Sequence, residues 1–551
     1  MPTVGSILLA EERFRDADPG FLSELYLCTG APLKRFGQKW ISDSRPFARQ
    51  ALIRYIQEGC DHPGHRPLVK KLFKEAEARQ DDELMRHFMV VFDRLVTSQQ
   101  QVVSRYSWRT QRVETELRWV RRRTNEAEDT FSIHTRLYLQ RRAYRYFRRM
   151  GYRASSRYVE NMLAALKLYA DSDTEHPRLK LDRWSLFHIL YWQASFPRDN
   201  RGRITLRPGI DVRSIDPAPR FADEWRRQSH VDALLRLMAE AKNADVRAWV
   251  RAWLQSDPAQ PLRAPALSRI WPLLRSPYID AQEWSAELVA EATDMADQPL
   301  ATWVELLKLP NAPAAEPIAQ LAARWLAPER LPLDVAVDII QAAQAPIAAL
   351  VLGWIRRRET SKADLPILIR LGETTDPAAR LEAVDWLVEM LGVHPFALLA
   401  RELLDSPHEA IRERTLRLIN THYVGDPRLA VALIESPFAD VRDATVKHLE
   451  QWVARIPATH TKALWARTLL SVRNGGRAKQ AALRQIAHEV LKNGANADET
   501  LPLLAMALRS VRERERRGAL AAIARIAHDK PELIPALQAA VPELKFEGPA
   551  S

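Results

Sequence analysis

The amino-acid sequence predicts an all-α protein, an α-α superhelix of stacked helix pairs with a helical N-terminal region. Glycine is scarce, at 18 of 551 residues, and hydrophobic residues make up 46% of the chain. Together with frequent alanine, leucine and arginine, that composition favours helical backbone. Alternating valine, isoleucine and threonine runs, which are typical of strands, are almost absent. The C-terminal half contains an internal repeat, which is the third and strongest observation.

The repeat is clearest in three segments that begin with a Ser-Pro or Asp-Pro turn and continue with an arginine. The segments are TTDPAARLEAVDWLVEML (374–391), DSPHEAIRERTLRLI (405–419) and ESPFADVRDATVKHLEQWV (435–453). Their arginines, Arg380, Arg412 and Arg442, are separated by 32 and 30 residues. Fainter copies occur at 243–254, 471–491 and 510–527. Such units bury their apolar stripes by stacking on neighbouring units.

These segments resemble the HEAT repeat (armadillo-like) in its short bacterial form, whose second helix opens with a D-P-x-x-x-V-R-x-x-A type of pattern. The resemblance covers roughly residues 223–544. It implies a solenoid in which the repeat arginine bonds backward into the adjacent repeat. N-terminal segments such as RPFARQALIRYI (45–56) resemble large bacterial HEAT-like proteins to which no activity is attached. A resemblance of this kind indicates fold and says little about function.

The predicted domain organisation has four parts. Residues 1–171 form a helical N-terminal region that includes Arg- and aromatic-rich helices at 105–157. Residues 172–222 form a linker, with a possible short hairpin in FPRDNRGRITLRPGIDVRSIDPAPRF (196–221), where glycine and proline interrupt the helical pattern. Residues 223–544 form the solenoid, and residues 545–551 a disordered tail.

The positive charge is concentrated in one region. The chain has a net charge of +12, and residues 105–157 hold 15 arginines and no lysine against five acids. That region therefore carries +10, and the rest of the chain is close to neutral. A local basic field attracts polyanions or acidic partners.

The segment TRLYLQRRAYRYFRRMGYR (135–153) predicts an amphipathic basic helix, and WRTQRVETELRWVRRR (108–123) predicts another helix before it. Arginine presents a planar fork that binds phosphate or carboxylate through two hydrogen bonds. Three interpretations stay open: a face covered by acids of the solenoid or simply solvated, a nucleic-acid or phosphate site, and a site for an acidic protein. The candidate residues are Arg121, Arg122, Arg123, Arg141, Arg142, Arg145, Arg148, Arg149, Tyr138 and Tyr152.

A weaker anion-binding candidate is RNGGRAK (473–479), with Arg473, Arg477 and Lys479. A glycine-rich turn before a helix can hold an anion with backbone N–H groups, although an ordinary turn between repeats is the favoured interpretation. The pattern of a nucleotide P-loop is absent.

No site for a metal, a cofactor or catalysis is predicted. Cys60, His62 and His65 lie close together, but a zinc site needs four ligands and no second cluster completes this one. No nucleophile or metalloprotease motif is present, and no small-molecule substrate is predicted. The chain has only two cysteines, and its apolar runs are too short to span a membrane. Both features predict a cytoplasmic protein without membrane contact.

The first functional hypothesis is therefore a non-enzymatic scaffold that mediates macromolecular interactions, mainly with proteins. The second is a scaffold that binds nucleic-acid backbone through the arginine-rich N-terminal patch, with a weak association to bacterial conflict or ATPase-linked systems. The third, and least favoured, is a HEAT-like DNA glycosylase.

Overall fold

A computed structural model describes residues 6–109, 111–121, 131–194, 196, 211–256, 262, 265–393, 395–456, 458–471, 476–494 and 497–546. The chain forms two compact units. The first comprises Met1–Asp297 with Asn311–Pro317, and the second Gln298–Pro310 with Ile318–Ser551. Within the described residues the fold is an all-α solenoid of paired helices with a single β-hairpin, so the predicted fold class is confirmed. The division between the units does not coincide with the predicted linker at 172–222, which lies inside the first unit.

The first unit contains the following elements in its described part: α1 (Ile7–Arg15), α2 (Phe21–Leu27), α3 (Ala31–Ser42), α4 (Pro46–Gln57), α5 (Arg66–Ala78), α6 (Asp82–Arg94), β1 (Ser98–Ser107), β2 (Arg112–Arg121), α7 (Ile133–Arg153), α8 (Ser155–Leu166), α9 (Pro177–Asp182), α10 (Trp184–Tyr191), α11 (Ala222–Trp225), α12 (Gln228–Glu240), α13 (Ala244–Gln255), α14 (Leu267–Leu274) and α15 (Ile279–Ala290). Short 3-10 helices occur at Asp171–Asp173 and Val212–Ser214.

Alternate helices stack on one another from α3 onward. Helix α3 packs on α5, α4 on α6, α6 on α8, α8 on α12, and α12 on α14. Proline in the first turn of α3, α4 and α5 sets where these helices begin, and the Asp81 carboxylate caps α6 by accepting from the Leu84 N–H at 3.1 Å. The helix-pair arrangement therefore extends into the N-terminal region, where the sequence shows no repeat period.

The helix predicted over residues 108–123 is wrong, because this region belongs to an antiparallel hairpin. Strand β1 pairs with β2 so that Ser98 lies opposite Arg121 and Ser107 opposite Arg112. The segment RVETELRWV alternates charged and apolar or branched residues with a period of two, which fits a strand and not a helix. Asp182 anchors the base of the hairpin by accepting from the Ser98 N–H at 2.8 Å.

The predicted linker at 172–222 contains two helices, α9 and α10. Helix α10 has the sequence WSLFHILY and buries Leu186, Phe187, Ile189 and Leu190. That apolar run makes it part of the core, so the linker prediction is wrong there. The possible short hairpin falls mainly on residues 197–210, and the disordered tail mainly on residues 547–551, which lie outside the described residues.

The helices described in the second unit are α16 (Leu300–Leu307), α17 (Ala312–Trp325, whose first residues belong to the first unit), α18 (Leu333–Ala342), α19 (Ala345–Arg356), α20 (Leu365–Leu368), α21 (Pro377–Val393), α22 (Ala397–Leu404), α23 (Glu409–His422), α24 (Pro427–Glu435), α25 (Ala439–Arg455), α26 (Ala458–Leu470), α27 (Gly476–Lys492), α28 (Ala497–Leu508), α29 (Glu513–Asp529) and α30 (Ile534–Ala540). Helix α21 packs on α23, α23 on α25, α25 on α27 and α27 on α29.

At two of the repeat positions, Arg247 and Arg412, the arginine bonds forward along the chain, whereas the HEAT resemblance implied a backward bond. In the first unit Arg247 donates to the Asp280 carboxylate of the following helix pair at 2.7 Å. Its guanidinium lies 4.0 Å from the ring centroid of Tyr278, and it also donates to the carbonyl of Ala241 at 2.7 Å. The same arrangement recurs at Arg412 in the second unit.

Candidate polyanion-binding surface

Helix α7 carries the arginine-rich segment and is amphipathic, as the sequence predicts. Ser132 caps it by accepting from the Thr135 N–H at 3.3 Å. Leu139, Ala143 and Phe147 are buried, where α7 packs against α6, α8 and α10. The opposite face of the helix is therefore the one left for solvent.

That face presents five arginines along successive turns, which we call the arginine row: Arg141, Arg145, Arg148, Arg149 and Arg153. Four of them are exposed and Arg148 is half-buried. Four residues of helix rise about 6 Å, so arginines spaced by four residues follow one another at that interval. Within the described residues no member of the row forms an ion pair with an acid. Tyr138 and Tyr152 lie on the same face and are 52% and 70% exposed.

Three neighbouring arginines on α7 and α8 do pair with acids, so the interpretation of a covered face holds for part of this region. Arg136 binds Asp61 at 2.6 Å, Arg142 binds Glu77 at 2.6 Å, and Arg157 binds Asp82 at 2.8 Å. The acids lie on or just before the N-terminal helices α5 and α6, and not on the C-terminal repeats as the sequence led us to expect. Arg142 is therefore withdrawn from the candidate residues.

An aromatic ladder, Trp184, His188 and Trp192, runs along α10 beside the arginine row. The ring centroids of Trp184 and His188 are 3.6 Å apart, and those of His188 and Trp192 are 5.3 Å apart. Arg141 lies 5.5 Å from the Trp184 ring, and Arg220 lies 3.7 Å from the Trp192 ring. The surface thus combines guanidinium groups with aromatic planes.

This ladder lies in the segment that the sequence predicts as a linker, so its residues are not among the predicted site residues. The signal was present, since the three rings are spaced by four residues and therefore lie on one helical face. Arg220 belongs to the arginine-rich segment 196–221, but the sequence did not indicate that it reaches this ladder.

The remaining candidates differ in their surroundings. The Lys479 ammonium is buried and lies 3.1 Å from the Glu515 carboxylate. Lys479 follows Arg442 by 37 residues and occupies the position of the repeat arginine. It is therefore a packing residue, which corrects its place among the anion-binding candidates. Arg477 is exposed on the first turn of α27. Arg122, Arg123 and Arg473 lie outside the described residues, as does the side chain of Arg121.

The cluster of Cys60, His62 and His65 is packed into the core of the first unit. Both ring nitrogens of His65 are engaged, Nδ1 with the Tyr55 hydroxyl at 2.8 Å and Nε2 with the Cys28 carbonyl at 3.0 Å. Burial raises the pKa of the Cys60 thiol. In the part of the chain that the structure describes, no three His, Cys, Asp or Glu side chains converge as metal ligands.

No helix among the described residues combines the length and the apolar character that a membrane span requires.

Comparison with solved structures finds similar chains, of which two are described below. No protein-family model matches this chain, and no curated protein matches it. One similar structure comes from a study of Kap95p binding to RanGDP in nuclear import complex assembly, with 9% identity, a TM-score of 0.21 and coverage of 92% of this chain and 62% of that one. The other is a circular tandem repeat protein, with 12% identity, a TM-score of 0.18 and coverage of 92% and 98%.

Proposed function

We propose that this chain is a non-enzymatic scaffold of HEAT type that binds nucleic acid through the arginine row. The observation that supports this proposal most strongly is that five arginines on one face of α7 have no acid partner among the described residues. Clustered like charges repel one another, and a polyanion that neutralises them removes that repulsion. Guanidinium groups bind phosphate oxygens in pairs, so a phosphate backbone is a suitable ligand.

The exposed aromatic side chains favour single-stranded nucleic acid over a duplex. Tyr138 and Tyr152 flank the row, and Trp192, 41% exposed, lies at the end of the aromatic ladder. Unpaired bases can stack on such rings, whereas paired bases in a duplex are covered by their neighbours. Recognition of this kind depends on backbone and stacking, so we expect little sequence preference and a steep dependence on salt.

A protein partner is the second candidate, and the β-hairpin favours it. Val102, Tyr106, Trp108 and Val113 are exposed on this hairpin, with Trp108 at its turn 86% exposed. Exposed apolar side chains grouped in this way are typical of protein-interaction surfaces. The carboxylates of an acidic protein would also pair with the arginine row. The experiment must therefore distinguish a nucleic acid from an acidic protein as the ligand.

The test is binding of a fluorescent single-stranded oligonucleotide, followed by anisotropy across a salt series. The test variant replaces Arg141, Arg145, Arg148 and Arg149 with Gln. The matched control replaces four exposed arginines elsewhere in the first unit, Arg35, Arg66, Arg226 and Arg236, so that both variants lose the same charge.

We expect the row variant to bind the oligonucleotide at least about tenfold more weakly than wild type. The slope of log K against log salt concentration should become shallower by up to about 3. The affinity of the control variant should stay within about threefold of wild type. Equal losses in both variants would attribute binding to net charge alone. Absence of wild-type binding at low salt would reject the function. Displacement by polyglutamate as efficient as by unlabelled strand would favour the acidic protein partner.

A further inference from the structure

One buried arginine, Arg220, has no acid partner among the residues that the structure describes. Among the described residues five arginines are at most 7% exposed, and four of them pair with an acid. Those pairs are Arg136 with Asp61 at 2.6 Å, Arg183 with Asp173 at 3.5 Å, Arg247 with Asp280 at 2.7 Å and Arg412 with Asp440 at 2.8 Å. Arg220, 5% exposed, pairs with no acid in the described part of the chain. An uncompensated buried charge is costly, so a counter-anion is expected.

The surroundings hold Arg220 in place. The Trp225 indole donates to the Arg220 carbonyl at 3.0 Å. Phe221 adopts a positive φ of 60° and packs its ring on Gly151, where a Cβ atom would lie 2.2 Å from that ring. The guanidinium then stacks 3.7 Å from the Trp192 centroid and donates through Nη1 to the Tyr152 hydroxyl at 3.0 Å. The side chain is therefore fixed before any ligand arrives.

Arg220, whose guanidinium interacts with the Tyr144 hydroxyl, keeps two donors unused within the described part of the chain. Its Nε and Nη2 atoms are buried and have no hydrogen-bond partner among the described residues. These two atoms share one edge of the guanidinium, the edge that binds two oxygens of an oxyanion at once. The buried hydroxyl of Tyr158 interacts with that of Tyr144, which donates to the His188 carbonyl at 3.2 Å. Buried donors without acceptors indicate an occupant such as an ion or water.

A second cation acts on the same place. Arg148 of the arginine row lies one turn after Tyr144 on α7, is half-buried, and has no acid partner in the described residues. Burial raises the pKa of Tyr144, and the charges of Arg220 and Arg148 both oppose that effect. Two guanidinium groups therefore influence one buried phenol, which makes the region strongly attractive to an anion.

We propose that Arg220, Arg148, Tyr152, Tyr158 and Trp192 form a pocket that binds one phosphate group. Two cations with several separate donors suit the three or four oxygens of a phosphate better than the two oxygens of a carboxylate. The rings of Tyr152 and Trp192, which lie 5.9 and 3.7 Å from the Arg220 guanidinium, are themselves exposed, so the proposed pocket adjoins the protein surface. The pocket adjoins the arginine row but does not depend on the proposed function, since a small phosphate compound would fill it as well as a strand.

The first experiment uses inorganic phosphate as the probe, with calorimetric titration and thermal unfolding against chloride at equal ionic strength. We expect saturable binding of one phosphate per chain. The Arg220→Gln variant should bind at least about tenfold more weakly, because the lost charged hydrogen bonds are each worth about 1.5 kcal/mol or more. Arg226→Gln is the matched control, since Arg226 is exposed, lies 4.8 Å from the Trp253 ring and should leave phosphate binding unchanged.

Arg148→Gln provides an independent variant if Arg220→Gln does not fold, because Arg148 forms no ion pair among the described residues. The phosphate affinity of this variant should fall by about threefold or more. Two results would overturn the proposal. The first is that the wild-type protein shows no saturable phosphate binding, in which case water occupies the pocket. The second is that Arg226→Gln loses as much phosphate affinity as Arg220→Gln. A comparison of oligonucleotides with and without a terminal phosphate identifies the source of the ligand. If the wild-type protein binds phosphate but no strand, only the proposed function is rejected. If the wild-type protein binds the strand, and Arg220→Gln changes neither strand binding nor phosphate binding, only the pocket is rejected.

Discussion

The guanidinium of Arg412 donates to the Asp440 carboxylate of the next repeat at 2.8 Å and stacks 4.0 Å from the centroid of Phe438. It also donates to the Ser406 carbonyl at 2.9 Å, so one side chain ties its own turn to the start of the following helix. Arg380 donates to the equivalent carbonyl of Thr374 at 3.0 Å, but the position that corresponds to Asp440 is an alanine there. The repeats are therefore unequal in how firmly they are joined.

We expect Arg412→Ala to lower the free energy of unfolding by about 3 kcal/mol, because it leaves a partly buried carboxylate without its partner. Arg380→Ala should cost only about 1 kcal/mol, the value of a hydrogen bond without an ion pair. Urea unfolding of both variants measures the difference. Equal losses would mean that the forward ion pair adds no stability.

The arginines of α7 should separate into two groups by their effect on stability. Arg136→Ala removes a buried guanidinium that binds Asp61 and the Leu95 carbonyl, and should cost about 3 kcal/mol. Arg145→Ala removes an exposed side chain without a partner among the described residues and should change stability by less than about 0.5 kcal/mol. Chemical denaturation compares them, and a large loss for Arg145→Ala would show that the arginine row stabilises the fold.

Two helical glycines should respond to alanine in opposite directions. At Gly151 in α7 a Cβ atom would lie 2.2 Å from the Phe221 ring, whereas at Gly353 in α19 it would meet nothing within 4 Å. Gly151→Ala should destabilise the protein by about 1–3 kcal/mol through overpacking. Gly353→Ala should stabilise it by about 0.5–1 kcal/mol, because alanine is the better helix former. Thermal unfolding gives both values, and a stabilised Gly151→Ala would contradict the close packing of α7 on Phe221.

His65 should make the protein sensitive to acid. Burial lowers the pKa of His65 from 6.5 to about 4, with a further contribution from nearby His62. The unfolded chain therefore binds an additional proton between these two values, so stability falls as the pH decreases from 6.5 to 4. The loss attributable to this residue is up to about 3 kcal/mol. Denaturant unfolding across this pH range should show a shallower decline for His65→Gln than for wild type, and parallel curves would rule out the effect.

Much of the helical architecture follows from local sequence. Proline turns and the spacing of the repeat arginines were sufficient to predict stacked helix pairs. The hairpin was not predicted because RVETELRWV was assigned from its positive charge. The alternation of charged and apolar or branched residues in this segment, with a period of two, is the pattern that indicates a strand. Helix α10 was missed because the glycine- and proline-rich segment that follows it extended the predicted linker too far towards the N-terminus.

The sequence by itself determined that the protein is built from repeated helix pairs and that its excess charge lies in residues 105–157, because periodicity and composition are local properties. Only the tertiary structure decided which arginines are neutralised. Glu77 pairs with Arg142 across 65 residues, and Trp192 receives Arg220 from a separate segment. Such pairings depend on how distant helices pack, so within the described residues one α7 face is buried, the arginine row on the other face has no acid partner, and Arg220 is buried without one.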